Sequence, residues 1–211
     1  MQTVQFPFAE SVKFAWQKTK ENFWNLIAVT VIVMVVNGVF NSLEKHTAGV
    51  LPLVSMIIWI CSWLVSLLMA LGVIKIALKV YAGERFEISD IFTNTKKFLD
   101  YLLASILYFV AVVFGLVLLI VPGIIIAIRM GFYSYLIVDK EMGPVDALKE
   151  SMNLTKGSSW NIFFFWFLLL GIVLLGFLAL IVGIVVAIPV TWIAYVFVYK
   201  FLEEKQTTGV A

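Results

Sequence analysis

The chain has 211 residues, of which 63% are hydrophobic and 13% charged, and its formal net charge is +2. A soluble domain is about half apolar and about a quarter charged, so this composition excludes an ordinary soluble fold, and the near-balanced charge gives no case for nucleic-acid binding. The single Cys61 lies in an apolar run and excludes a disulfide framework or a CxxC site.

No cleavable leader is expected, because Glu10, Lys13, Lys18 and Lys20 interrupt the first twenty residues and the apolar run from Phe23 is too long for a signal core. Residues 6–22 read as an amphipathic helix. Phe8, Val12, Ala15, Trp16 and Thr19 share one face, and Glu10, Lys13, Gln17, Lys20 and Glu21 take the other, a pattern suited to a membrane interface. The first span is expected over 23–40, followed by a polar connector, Asn41 to Gly49, that holds His46, the only histidine. The second span, 52–81, opens on Pro52, which a first helical turn tolerates. It is longer than one bilayer requires.

The segment FEISDIFTNTKK (86–97) reads as a short polar helix with Ser89 or Asp90 as a cap. The third span is expected over 98–120. The uncharged Pro122-Gly123 turn then leads to a fourth, 122–139, and such a turn must be short because unpaired backbone in lipid is costly. Pro144 starts a third amphipathic helix with Val145, Leu148 and Met152 on one side, and Gly157 stops it. Spans five and six are expected over 160–181 and 184–199, with Gly183 and Pro189 marking the turn and the start of the last helix. Residues 1–205 thus form one integral membrane domain, and 206–211 a disordered tail. The fold class is all-α: a polytopic membrane bundle of six transmembrane helices in three helical hairpins, each preceded by a cytoplasmic amphipathic helix. Gly115, Gly171, Gly176 and Gly183 are expected to permit close helix approach, and the aromatics to face lipid.

A repeat underlies this order. Thr19-Lys20 precedes Phe23-Trp24-Asn25, Thr95-Lys96-Lys97 precedes Phe98 and Tyr101, and Thr155-Lys156 precedes Trp160-Asn161. Each unit also has one proline near its second span: Pro52, Pro122 and Pro189. Interfaces select lysine and aromatic residues anyway, but the common order points to repetition.

Arg129 is the most singular residue. It falls near the middle of the fourth span, where a guanidinium costs several kcal/mol unless it faces the bundle, a wet cavity or an anionic partner. No Asp or Glu stands at a comparable depth, so Arg129 is the candidate site for an anionic group, with Asn37 as the alternative polar neighbour. Lys75 and Lys79, one turn apart, read as interfacial anchors together with Trp24 and Trp160. Catalytic motifs such as HExxH, GxSxG or a P-loop, and metal-ligand clusters, are absent from the sequence. The expectation is a non-enzymatic membrane protein without cofactor or metal. It would associate with membrane lipids or serve as a scaffold for partner membrane proteins. A small transporter or permease component for an anionic or lipid-like substrate is the alternative.

The run IVPGIIIAIRMGFYSYLIVDKEMGPVDALKESMNLTKGSSWNIF carries a further signal. It resembles a bacterial membrane family grouped with the membrane domain of glycerophosphoryl diester phosphodiesterase, in Pro122, Gly123, Asp139, Ala147, Leu148, Ser151, Thr155, Gly157 and Trp160. The resemblance covers about residues 70–200 and extends to YAGERFEISDIF upstream. It implies a six-helix protein of the bacterial inner membrane. It implies no activity, because the hydrolase of those enzymes is a separate soluble domain with no counterpart in this sequence.

Twelve of the fifteen basic residues fall on one side of this arrangement: Lys13, Lys18, Lys20, Lys79, Arg85, Lys96, Lys97, Lys140, Lys149, Lys156, Lys200 and Lys205. Only Lys45 falls on the other, so both termini and the three polar segments are expected in the cytoplasm. A reporter fused after Ala211 should be active on the cytoplasmic side, and activity outside would overturn this topology.

Overall fold

The computed structural model describes residues 6–48, 51–92, 95–178 and 180–208. Among these, every regular element is helical: α1 (Phe8–Glu21), α2 (Phe23–Ala48), α3 (Pro52–Ala82), two 3-10 turns (Ile88–Phe92 and Thr95–Lys97), α4 (Phe98–Leu118), α5 (Ile120–Met130), α6 (Tyr133–Lys140), α7 (Pro144–Leu154), α8 (Ser159–Leu178) and α9 (Leu180–Thr207). Six stretches are long and apolar enough to cross a membrane: Phe23–Thr47, Pro52–Ala82, Phe98–Leu118, Ile120–Lys140, Ser159–Leu178 and Gly183–Thr207. A helix of 20 residues, such as α8, rises roughly 30 Å, the thickness of a hydrocarbon core. This is an all-helical protein of the multi-pass membrane type.

Several boundaries differ from the sequence reading. The first span does not stop at Phe40. The side chains of Asn37, Asn41, His46 and Thr47 bond carbonyls of their own helix one turn back, so polar residues extend α2 to Ala48 and place His46 on it. Gly49 lies outside the described residues. The third span ends at Leu118, and Leu119 is extended. The break precedes Pro122 because the proline must sit in the first turn of α5, where its missing N–H leaves no helical bond unmade.

Pro189 lies inside α9 rather than at its start. The last helix runs on through Tyr199 to Thr207, with Lys200, Glu203 and Gln206 tied to neighbouring elements, so Gln206 and Thr207 of the expected tail are helical. Residues 209–211 lie outside the described residues.

The consecutive pairs α2–α3, α4–α5 and α8–α9 pack on one another. In two of these pairs small residues let backbones meet. A Cβ on Gly115 would lie 2.9 Å from the Gly123 Cα, and one on Gly176 would lie 2.8 Å from the Gly183 carbonyl oxygen. Gly171, by contrast, meets open space.

The polar segments do not lie apart on a surface. Each returns against a span. The segment holding the 3-10 turns packs on α3, α7 packs on α5 and α6, and α1 packs along α9, so the N-terminal segment closes on the last span. The buried stripe of α1 is Ser11, Ala15 and Thr19, while Trp16 is exposed. Of the expected apolar face, Ala15 and Thr19 are buried and Trp16 alone is exposed: small residues, not bulky ones, take the contact side because α9 approaches closely. At a constant offset in sequence, Ala147, Ser151 and Thr155 form the matching buried stripe of α7. The match continues into the following spans, where Leu26 and Ile162, and Val29 and Phe165, are buried and Trp24 and Trp160 project outward, 80% and 72% exposed.

The second polar segment departs from this pattern. It forms 3-10 turns instead of an α-helix, and Ile91 sits against Gly72 of α3 so closely that a Cβ on the glycine would overlap the Ile91 backbone. Gly72→Ala should therefore lower thermal stability in detergent by an amount on the order of 1–3 kcal/mol. Gly171→Ala, made in open space, should leave the melting temperature unchanged.

Candidate functional site

The site is built around a break in the fourth span. Ile120–Lys140 is apolar enough to be one helix, yet it divides at Gly131 and Phe132 into α5 and α6. A break inside an apolar bundle exposes backbone groups that need partners. Here α7 supplies them. The Phe132 N–H donates to the Ser151 Oγ at 3.0 Å, and the Ser151 hydroxyl donates to the Arg129 carbonyl at 2.8 Å. Thr155 Oγ1 lies 3.1 Å from the same carbonyl and 2.9 Å from that of Ser151, sharing its proton between them.

These bonds set the position of Arg129. By count it stands halfway along Ile120–Lys140, as the sequence suggests. In space α7 runs back beside α6, and the turn after α7 brings Gly157, Ser159 and Trp160 around the guanidinium. Arg129 therefore lies level with the start of α8, next to an outward-facing tryptophan. Its Nη2 donates to the Met152 carbonyl at 3.2 Å. Its Nε is buried with no hydrogen-bond partner, and no carboxylate forms an ion pair with it among the described residues. Asn37 is not its neighbour: that amide oxygen accepts a bond from Ser66 at 2.8 Å, between α2 and α3.

Arg129 forms part of a cavity of about 480 Å³ between α5 and α8. The remaining walls are Val121, Ile124, Ile125, Ile128 and Phe163, with Gly157, Ser159 and Trp160 at the Arg129 end. The cavity is an apolar groove with one fixed positive charge near one end. That arrangement can hold an anion and an attached hydrocarbon.

Behind the site lies an aromatic core that the sequence reading placed on the lipid face. Phe132, Phe165 and Tyr199 are fully buried. Tyr195 lies between Phe132 and Tyr135, with ring centroids 4.8 and 5.3 Å away, and its hydroxyl accepts a bond from Trp166 Nε1 at 3.3 Å. Tyr133 packs on Tyr101 and Tyr108 of α4 and meets the Ser105 hydroxyl at 2.9 Å. Asp139, at the end of α6, accepts the Tyr199 hydroxyl at 2.8 Å and Lys200 Nζ at 2.7 Å, locking α6 to α9. A spacing rule for spans does not separate buried from lipid-facing aromatics, since both are apolar. The break after Arg129 was the missing signal, because it turns Phe132 and Tyr135 toward α9.

The other sequence candidates fall into two groups. Trp24 and Trp160 project outward from helix starts, as membrane-interface residues do. Lys75 and Lys79 do not hang free at an interface. Their ammonium groups meet Asp90 at 3.6 and 2.7 Å and clamp the polar segment onto α3. Asp90 also accepts the Glu87 N–H at 3.0 Å, so it ties its own turn rather than capping an α-helix. Among the described residues no group of His, Cys, Asp and Glu is close enough to hold a metal ion.

Comparison with known proteins places the chain near uncharacterised ones. It is 29% identical over 141 residues to the uncharacterised protein Rv2560 of Mycobacterium tuberculosis, covering 66% of this chain and 43% of that protein. It is 28% identical over the same length to the uncharacterised protein Mb2590 of Mycobacterium bovis. The chain thus spans less than half the length of these relatives. No family model and no solved structure matches.

The Asp90 clamp has a pH signature. Burial alone would raise the Asp90 carboxyl, but the Lys79 ammonium, the Glu87 N–H and the Lys75 charge outweigh it and hold the group below the usual carboxylate range. The folded form then binds the proton less readily than the unfolded one. The stabilisation is complete above the unfolded carboxylate pKa and is lost as pH falls through the lower folded value. Thermal melts of the protein in detergent should show this loss below about pH 4. Asp90→Asn should remove that part of the pH dependence and lower stability by about 1–3 kcal/mol at neutral pH.

Proposed function

We propose that this protein is a non-enzymatic, lipid-associated integral membrane protein that holds an anionic group at Arg129. The observation that carries the reading is the guanidinium itself. It opens on an apolar groove, it has an unpartnered buried Nε, and no carboxylate neutralises it among the described residues. A charge at that place in a membrane bundle is costly unless an anion or water meets it. The protein would sit in the bacterial inner membrane with both termini and the three polar segments in the cytoplasm, where the basic residues concentrate. Its partners would be membrane lipids and other membrane proteins. The likeness of residues 70–200 to the membrane domain grouped with glycerophosphoryl diester phosphodiesterase fits a membrane role without hydrolase chemistry.

Mass spectrometry of the lipids and small anions that co-purify with the wild type and with Arg129→Leu tests this reading. A specific anionic species present in the first and lost in the second is expected. Identical bulk lipid in both would make Arg129 a structural residue and overturn the proposal.

A further inference from the structure

We infer that the anionic ligand is a single phospholipid, seated with its phosphate at Arg129 and one acyl chain along the groove between α5 and α8. This rests on the reading of Arg129 as an anion site and adds the identity and orientation of the occupant.

The groove is polar at one end only. Arg129, Gly157, Ser159 and Trp160 stand at that end, and Val121, Ile124, Ile125, Ile128 and Phe163 form the remaining walls. A free inorganic anion would use the first set and leave the second uncovered. A hydrocarbon without charge would cover the second and leave the guanidinium unmet. An amphiphile with an anionic head satisfies both.

The dimensions agree. Val121 and Arg129 are eight residues apart on one helix, roughly 12 Å of rise, which matches about half the length of a typical acyl chain. The volume of about 480 Å³ accommodates one such chain.

The charge pattern selects an anionic head. Among the described residues no Asp or Glu lines the groove, and the exposed Lys156 stands in the turn beside Gly157. The first turn of α8 begins at Ser159, so its leading N–H groups add the positive end of a helix dipole to the same place. Guanidinium and phosphate pair through short charge-assisted hydrogen bonds, and among the described residues no carboxylate pairs with Arg129 in place of one. The Trp160 ring projects outward at this end, a residue type that favours lipid headgroups. The phosphate therefore sits at the Arg129 end of the groove, beside the start of α8, and the chain runs along α5 toward Val121.

Native mass spectrometry of the full chain in detergent tests this, with phosphatidylglycerol, phosphatidylcholine and inorganic phosphate as probes. One phosphatidylglycerol should bind saturably, at least about tenfold more tightly than phosphatidylcholine. Arg129→Gln, which removes the charge, and Ile125→Trp, which fills the groove, should each weaken phosphatidylglycerol binding by about tenfold or more. Millimolar phosphate should not displace the lipid. If Arg129→Gln weakens binding, Ile125→Trp does not, and phosphate displaces the lipid, the occupant is a small anion. The lipid inference then fails while the anion reading stands. If only Ile125→Trp acts, or neither variant does, both fail. Thermal melts check that each variant folds. Should Arg129→Gln not fold, the wild-type preference for phosphatidylglycerol together with Ile125→Trp decides the matter.

Discussion

The arrangement depends on the need to satisfy backbone groups freed by the break at Gly131 and Phe132. A helical interruption leaves N–H and C=O groups bare, and in an apolar bundle each bare group costs more than a typical hydrogen bond gains. Two hydroxyls on one face of α7 meet this need, Ser151 at both ends of the gap and Thr155 at the Arg129 carbonyl. The consequence reaches further than the gap. Because α7 must lie within bonding distance of Arg129, the chain returns beside α6, and α8 starts level with Arg129. The groove between α5 and α8 follows from that detour.

The same logic recurs around the bundle with different chemistry. At α9 the meeting surface is the small-residue stripe Ser11, Ala15 and Thr19 of α1, which allows close approach without a break in the partner helix. At α3 it is a backbone meeting at Gly72, fixed by Asp90 between Lys75 and Lys79. Each of the three polar segments thus packs against a span, with α1 lying along α9. Packing of this kind suits a membrane, where apolar burial gives no drive between helices and close backbone contact must provide it.

Much of this was legible in the sequence. Apolar runs of bilayer length gave the six spans, and the Thr-Lys-aromatic order marked where α2 and α8 begin. What was not legible has one common cause: polar residues whose partners are their own backbone. Asn41, His46 and Thr47 read as a connector but extend α2, because each bonds a carbonyl one turn back. Ser151 and Thr155 were visible as part of a resemblance, but their work at the Arg129 carbonyl needs the break in the fourth span, and no proline announces it. Gly72 was missed because its neighbour Ile91 lies across a turn, where no periodicity reaches. Arg129 was legible as an anomaly. Its groove was not, since its walls come from α5 and from the start of α8, some thirty residues apart in sequence.

The three seams differ most in how they treat charge. At α3 the ammonium groups of Lys75 and Lys79 are answered by Asp90, so the seam is internally neutralised. Beside α9 the groove of Val12, Trp16, Ile172, Val186, Ala187 and Val190 carries no charge to answer. At α5 a guanidinium donates to the Met152 carbonyl, keeps an Nε unpartnered among the described residues and faces apolar walls. A purely structural seam is better served by either of the other two solutions, because an unmatched charge in low dielectric is the costliest of the three. On the proposed reading, the unmatched seam is where an external anion would contribute what the protein itself leaves out.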